Sequence, residues 1–299
     1  MSKIIPFEAL IPRKDLADRV VCPPYDVIDS DEARKLAKGN PYSMLHVTKP
    51  EIDLPDETME DDDRIYAKGI ENLQRFVEDG TLIRDRASIY VYRLAMGEIV
   101  QTGVVCGVSA DEYERGLIKK HEKTREPKVV DRTRLACALH THAEPVILVH
   151  RADEGIRALL AKEAGDEPLF DVKYQGVRHT LWRANDPQGI VAAFSRLPAL
   201  YIADGHHRSE TGCRTMQWMR RDNPGHTGGE AYNFFPAAVF PDDEVRVFRY
   251  EWDGPADKRP LADVTMADIM KLSDQNGIMP PKSTWFAPKL ISGLFLYTF

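Results

Sequence analysis

The stretch Leu200-Tyr201-Ile202-Ala203-Asp204-Gly205-His206-His207-Arg208-Ser209-Glu210-Thr211-Gly212-Cys213-Arg214 constrains this chain more than any other. An apolar run with strand-favouring Tyr and Ile at its centre stops at a polar cluster, and a helical pattern follows through Met216, Trp218 and Met219. The spacing predicts a strand, a tight turn at Gly205 and a helix capped by Ser209, with Arg220 and Arg221 near the end where cations suit the helix dipole. The first-turn N–H groups of such a helix lack partners and carry partial positive charge, so with Arg208, His206 and His207 beside them they suit a phosphate. A merely solvated surface turn is the plain alternative. It leaves unexplained why an acceptor, two groups that titrate near neutrality and a fixed cation fall together between Asp204 and Arg208.

A second stretch, Lys119 to Arg132, is rich in cations although the chain as a whole is acidic, with a formal net charge of −7. Pro127 is expected to break any single helix there, with a separate helix beginning near Asp131 and running to Leu139. The loop between them would curl over an anion, unless the charges only solvate a helix face. In Cys22-Pro23-Pro24-Tyr25-Asp26 the two prolines hold Tyr25 and Asp26 in one geometry. The segment Pro280 to Lys289, with Lys282, Ser283 and Thr284, reads as an extended stretch wrapping a site, or else as an ordinary proline-rich tail.

Between these stretches the pattern alternates strands and helices. Strands are expected over Ile4–Leu10, Ser43–Thr48, Ala87–Leu94, Ile99–Ser109, Val146–Val149, Leu169–Tyr174, Val177–Trp182 and Phe234–Phe240. Val245–Tyr250 is expected to return antiparallel to Phe234–Phe240, and Gly293–Phe299 to form a further strand. Helices are expected from Ser30 to Ala37, Ile65 to Glu78, Ile156 to Ala164, Asp186 to Phe194 and Val264 to Leu272. Glu51 to Asp63 is densely acidic and reads as a solvated loop.

Composition removes several function classes. No apolar run approaches the roughly 20 residues of a membrane span, and the opening residues are too short and too interrupted by Pro6 and Glu8 for a signal peptide. A cytoplasmic protein is expected. The acidic balance disfavours general nucleic-acid binding. Four scattered cysteines without C-x-x-C spacing argue against a disulfide framework or structural zinc. His140, His142 and His150 with Glu144 raise a metal reading, but no third fixed ligand accompanies any pair, and no metal ligands are assigned.

Taken together, Ile4-Ile5-Pro6-Phe7, Pro23 to Ile28, Gly39-Asn40-Pro41-Tyr42-Ser43, Lys120-His121-Glu122-Lys123-Thr124, Tyr201 to Arg208 and Met279 to Trp285 resemble the bacterial and archaeal family known as domain of unknown function 1015. That resemblance implies longer relatives, with roughly a hundred residues missing here between Tyr250 and Val264 and the C-terminal part shortened accordingly. Val129 and Val130 stand where acidic residues are expected, and Ala287 where Glu is. A strand followed by Asp-Gly-x-x-Arg and a helix is also similar to the signature of the ParB-like and sulfiredoxin superfamily. Its members bind nucleotide phosphates at that helix and include kinases of free serine.

The expected fold is α+β, a mixed sheet flanked by helices, with residues 1–250 as the core domain and residues 251–299 packing on it. The Asp204 to Arg208 corner, the Lys120 to Arg132 loop and the Pro280 to Lys289 segment are expected to meet at one pocket. The expected function is phosphoryl transfer to or from a small hydroxyl-bearing or phosphorylated metabolite. A nucleotide or pyrophosphate with magnesium would be the donor. In that scheme Arg208, Lys120 and Arg132 neutralise phosphate oxygens, Glu122 or Asp204 is the base, and His206 or His207 carries a proton. His121, Arg125, Gly205, Ser209, Tyr25, Asp26, Lys282, Ser283 and Thr284 complete the phosphate and substrate contacts. A nucleotide-binding regulatory module and a metal-dependent hydrolase using His121, His206 and His207 are the rival readings.

Overall fold

The computed structural model describes residues 2–59, 61–165, 167–249, 265–277, 284–287 and 290–299. Its centre is a nine-stranded mixed sheet. From one edge the strands run Ile118–Lys119, Leu200–Asp204, Val146–His150, Phe234–Pro241, Ile99–Ser109, Tyr90–Met96, Val177–Arg183 and Phe170–Tyr174, with Ile4–Ile5 also paired to Ile99–Ser109. Two pairings are parallel, Leu200–Asp204 with Ile118–Lys119 and Phe234–Pro241 with Val146–His150; the others are antiparallel.

Side chains alternate across a strand, so neighbouring residues enter different cores. Tyr201 and Ala203 join a cluster with Tyr92, Val149 and Phe240, whereas Leu200 and Ile202 join one with Val104, Leu148 and Val239. Both faces are therefore covered, which is why Val146–Val149 reads as an unbroken apolar run. Cys213 and Met216 of the helix His206–Asp222 and Ile190 and Phe194 of the helix Pro187–Phe194 close one face. The other face meets a four-stranded sheet in the order Leu82–Arg84, Ala9–Pro12, Leu296–Thr298, Thr141–His142. The helix Met266–Asp274 packs on the same cluster through Met266, Ile269 and Met270. A third cluster joins that small sheet to the helices Asp63–Glu78 and Glu126–Leu139 through Leu10, Phe76, Leu82, Leu135 and Leu296.

The α+β class and the mixed sheet flanked by helices are as expected. Several elements differ locally. Ser43–Thr48 holds a short helix, Leu45–Thr48, because Asn40 and Ser43 turn the chain through Tyr42 N–H to Asn40 Oδ1 and Leu45 N–H to Ser43 Oγ contacts. Pro127 does not break a helix but sits in the first turn of Glu126–Leu139, where its missing N–H costs nothing. Arg246–Arg249 pairs with Thr284–Ala287 rather than with Phe234–Pro241, whose two neighbours are already Ile99–Ser109 and Val146–His150. Ile4–Leu10 is divided into Ile4–Ile5 and Ala9–Pro12, which belong to different sheets. The inferred shortening between Tyr250 and Val264 lies outside the described residues. All four cysteines are free thiols. No helix among the described residues is long and apolar enough to cross a membrane.

Candidate functional site

The strand Leu200–Asp204 delivers the chain to Gly205, whose φ of 93° and ψ of 37° lie in the left-handed region that glycine adopts without strain. The helix His206–Asp222 starts there with no side-chain cap. Ser209, expected as that cap, lies inside the helix and donates its hydroxyl to Gly205 O at 3.1 Å. The helix begins a full turn earlier than a cap at Ser209 implies, because Gly205 itself changes the backbone direction. The first-turn N–H groups accordingly keep their capacity for an outside acceptor.

Arg208 is buried, and its partners come from three parts of the chain. Its Nη2 donates to Asp204 Oδ2 at 2.7 Å, its Nε lies 3.4 Å from Asp26 Oδ2, and its Nη1 donates to Pro145 O. Burial pulls its pKa down, but the charges of Asp26, Asp204 and Glu144 outweigh that and hold the guanidinium above its ordinary value. The motif arginine is thus a neutralised hub. The prolines place Tyr25 and Asp26 in a single 3-10 turn, Tyr25–Val27, and Tyr25 N–H donates to Glu144 Oε1 at 2.8 Å. Ser292 Oγ donates to the same oxygen at 2.8 Å. Burial pushes the Glu144 carboxyl up to about 7, against the opposing pull of Arg208.

Several buried polar atoms here have no hydrogen-bond partner: Tyr25 OH, Asp26 Oδ1 and Glu144 Oε2. Tyr25 and Glu144 line a cavity of about 60 Å³ with Arg132 and Arg208 and with apolar residues such as Leu135, Leu139 and Phe235, whereas Asp26 faces a larger groove. One water needs about 10–15 Å³ by the same measure, so the cavity has room for a few atoms, with polar partners only at its Tyr25, Glu144 and Arg208 end. Arg132 lies over the Tyr25 ring at 4.7 Å, pairs with Asp131 at 2.6 Å and donates to Thr48 O at 2.8 Å. Beyond Tyr25 and Asp26 opens a groove of about 1080 Å³ with Arg34, Lys49, Lys128 and Arg132 on its walls among several carboxylates.

On the other side of the corner lie the histidines. Parallel pairing puts Ile118 opposite Leu200 and Lys119 opposite Tyr201, so the residues after both strands meet. His121 N–H faces His206 Nε2 at 3.4 Å, and Glu122 Oε2 lies 3.5 Å from His206 Nδ1. Burial lowers His121 to about 4 and His206 well below its ordinary value, so both are neutral at pH 7. Burial, then the charge of Asp204, raises the Glu122 carboxyl. His207 accepts from Arg125 N–H at 3.0 Å through Nε2, and burial followed by the charge of Lys128 lowers its pKa.

The corner and the Lys120 to Arg132 stretch therefore do meet. His121, Glu122 and Arg125 approach His206 and His207, while Tyr25, Asp26 and Arg132 gather near Arg208. Lys120 Nζ lies 4.9 Å from the Tyr113 ring centroid, and its charge is among those that lower the pKa of His206. Thr284 begins the strand Thr284–Ala287, which comes alongside Leu200–Asp204; Lys282 and Ser283 lie outside the described residues. Glu144, Pro145 and Lys128 were not assigned to the site from sequence. The signal for Glu144 was a carboxylate beside a proline at the mouth of an apolar strand.

A two-face-covered mixed sheet carrying a strand, glycine corner and uncapped helix defines an α+β protein with a partly buried site of mixed charge at a helix N-terminus. The family model described as protein of unknown function (DUF1015) matches residues 4–251, and the chain belongs to that family. No curated protein and no solved structure matches the chain.

Proposed function

We propose that this protein transfers a phosphoryl group to or from a small hydroxyl-bearing metabolite in the cytoplasm, with a nucleotide or pyrophosphate and its magnesium as donor. One observation carries the reading: the first turn of the helix His206–Asp222, which has no side-chain cap, lies beside the carboxylates Asp204 and Glu122 and within reach of the charges of Arg125 and Lys128. Oriented N–H groups and cations suit phosphate oxygens, and nearby carboxylates suit the donor's magnesium and the acceptor's hydroxyl proton. The likeness of Asp204-Gly205-x-x-Arg208 to the ParB-like signature supports the same placement. Arg208 is already matched by Asp204 and Asp26, so phosphate neutralisation falls to the helix terminus, Arg125 and Lys128, and Arg208 holds the corner in shape. Asp204, half-exposed, is the base towards the hydroxyl.

A thermal-shift screen of nucleotides, pyrophosphate and phosphorylated metabolites with magnesium tests binding. Transfer of labelled phosphate to a panel of small alcohols, free serine first, tests chemistry. Stabilisation by a phosphate ligand, with turnover lost in Asp204→Asn, is the expected outcome. Stabilisation without any turnover would favour a nucleotide-binding regulatory module, and no shift at millimolar ligand would remove both readings.

A further inference from the structure

We propose that His121, Glu122 and His206 form a binding site for one divalent first-row transition ion. This goes beyond the proposed phosphoryl transfer and does not depend on it. Two imidazoles and one carboxylate favour zinc and its neighbours over magnesium, which prefers oxygen ligands, so the ion is distinct from the donor's magnesium.

Ligand atoms of the three side chains lie within 4.8 Å of one another. His206 Nδ1 and Glu122 Oε2 are 3.5 Å apart, which is too long for a good charge-assisted hydrogen bond at about 2.7–2.9 Å. It is close to the roughly 3.3–3.6 Å between two ligands each about 2.0–2.2 Å from a shared tetrahedral ion. The rings of His121 and His206 meet edge to face at 80° with centroids 4.5 Å apart.

The independent observation is His121 itself. It has no solvent exposure, yet neither ring nitrogen has a hydrogen-bond partner. A buried imidazole normally satisfies both nitrogens, and leaving them unpaired costs free energy that ligation would recover at one of them. Glu122, partly exposed, makes its ion pair among the described residues with His206 and with no Lys or Arg. Ligation through His206 Nδ1 moves the remaining ring hydrogen to Nε2 and gives up the 3.4 Å contact with His121 N–H, a contact at the outer limit of hydrogen bonding. Three protein ligands leave a coordination position open, the arrangement of a working rather than a structural ion.

The test is titration of chelator-treated, full-length protein with Zn(II) by calorimetry, and with Co(II) by visible absorption. One ion per chain and a tetrahedral-type Co(II) spectrum are expected. Groups standing behind metal ligands are already worth about 10–100-fold in affinity, so losing a ligand in Glu122→Gln or His121→Asn should weaken Zn(II) binding by more than about 100-fold. His140→Asn, at an exposed histidine outside the trio, should bind like the parent. If His121→Asn does not fold, Glu122→Gln at its partly exposed position decides. Parent binding no tighter than that of Glu122→Gln, or binding that does not saturate at one ion per chain, overturns the proposal. Zinc binding without phosphoryl transfer removes the functional reading alone, and the reverse result removes this site alone.

Discussion

At the scale of single residues, Arg208 and Glu144 show how a buried charge is held. Arg208 stands among Asp26, Asp204 and Glu144, so Arg208→Ala leaves the buried Glu144 and the largely buried Asp26 without their cation. Breaking such a group from one side costs about 3–5 kcal/mol, and denaturant unfolding should show a loss of that order before any binding is measured. Glu144 makes a separate prediction about pH. Its folded pKa, about 7, lies above the ordinary 4.5, so the protonated form is preferred in the folded state. The stability it contributes is fully present below about pH 4.5 and is lost as pH rises through about 7. His121, lowered to about 4, and His142, lowered to about 3, act oppositely and lose stability as pH falls. Glu144 is therefore isolated only by difference. The stability of Glu144→Gln, relative to the parent, should rise between pH 4.5 and 7 and be flat outside that window. Urea unfolding across the range measures it, and a constant difference would remove the titration of Glu144. Sequence made Asp26 and Arg208 visible as site residues but not their mutual neutralisation, because pairing across so many residues leaves no local pattern.

At the scale of elements, local chemistry was legible wherever it was self-contained. The helix Ser30–Ala37 was read to the residue, although its cap is Asp29, in a capping box with Glu32. At Ser43–Thr48 and Pro127 the structure departs from the local pattern for opposite reasons. The first is apolar enough for a strand but is turned by side-chain contacts, and the second is a helix breaker only beyond the first turn. The motif helix lies unusually close to the sheet. A Cβ on Gly212 would stand 2.7 Å from the Phe235 ring, which is fully buried. Gly212→Ala gains about 1 kcal/mol in helix propensity, but overpacking costs about 1–3 kcal/mol. We expect net destabilisation, relieved in part by Phe235→Ala in the same chain, which removes the Cγ and ring atoms that the new methyl meets but keeps the Cβ; a double-mutant cycle in chemical unfolding shows whether the two positions couple.

At the scale of the whole molecule, the mixed sheet and its flanking helices were legible from alternating apolar runs, but strand order was not. Val146–Val149 announces burial on both faces, yet nothing in its composition says that Phe234–Pro241 lies parallel beside it. The small sheet is more distant still. Leu296–Thr298 fills the gap between Ala9–Pro12 and Thr141–His142, so pairing joins residues nearly the full chain apart. At about 5–20 residues per second, a ribosome needs roughly 15–60 s between making the first of these strands and the last. For all that time Ala9–Pro12, and for about the last half of it Thr141–His142, lack the strand that separates them, and Leu10 and His142 lack the cover of Leu296 and Tyr297. Stalled nascent chains ending before residue 296 should therefore stay open to protease near residues 9–12, and closing of this sheet waits until residues 296–298 have been made.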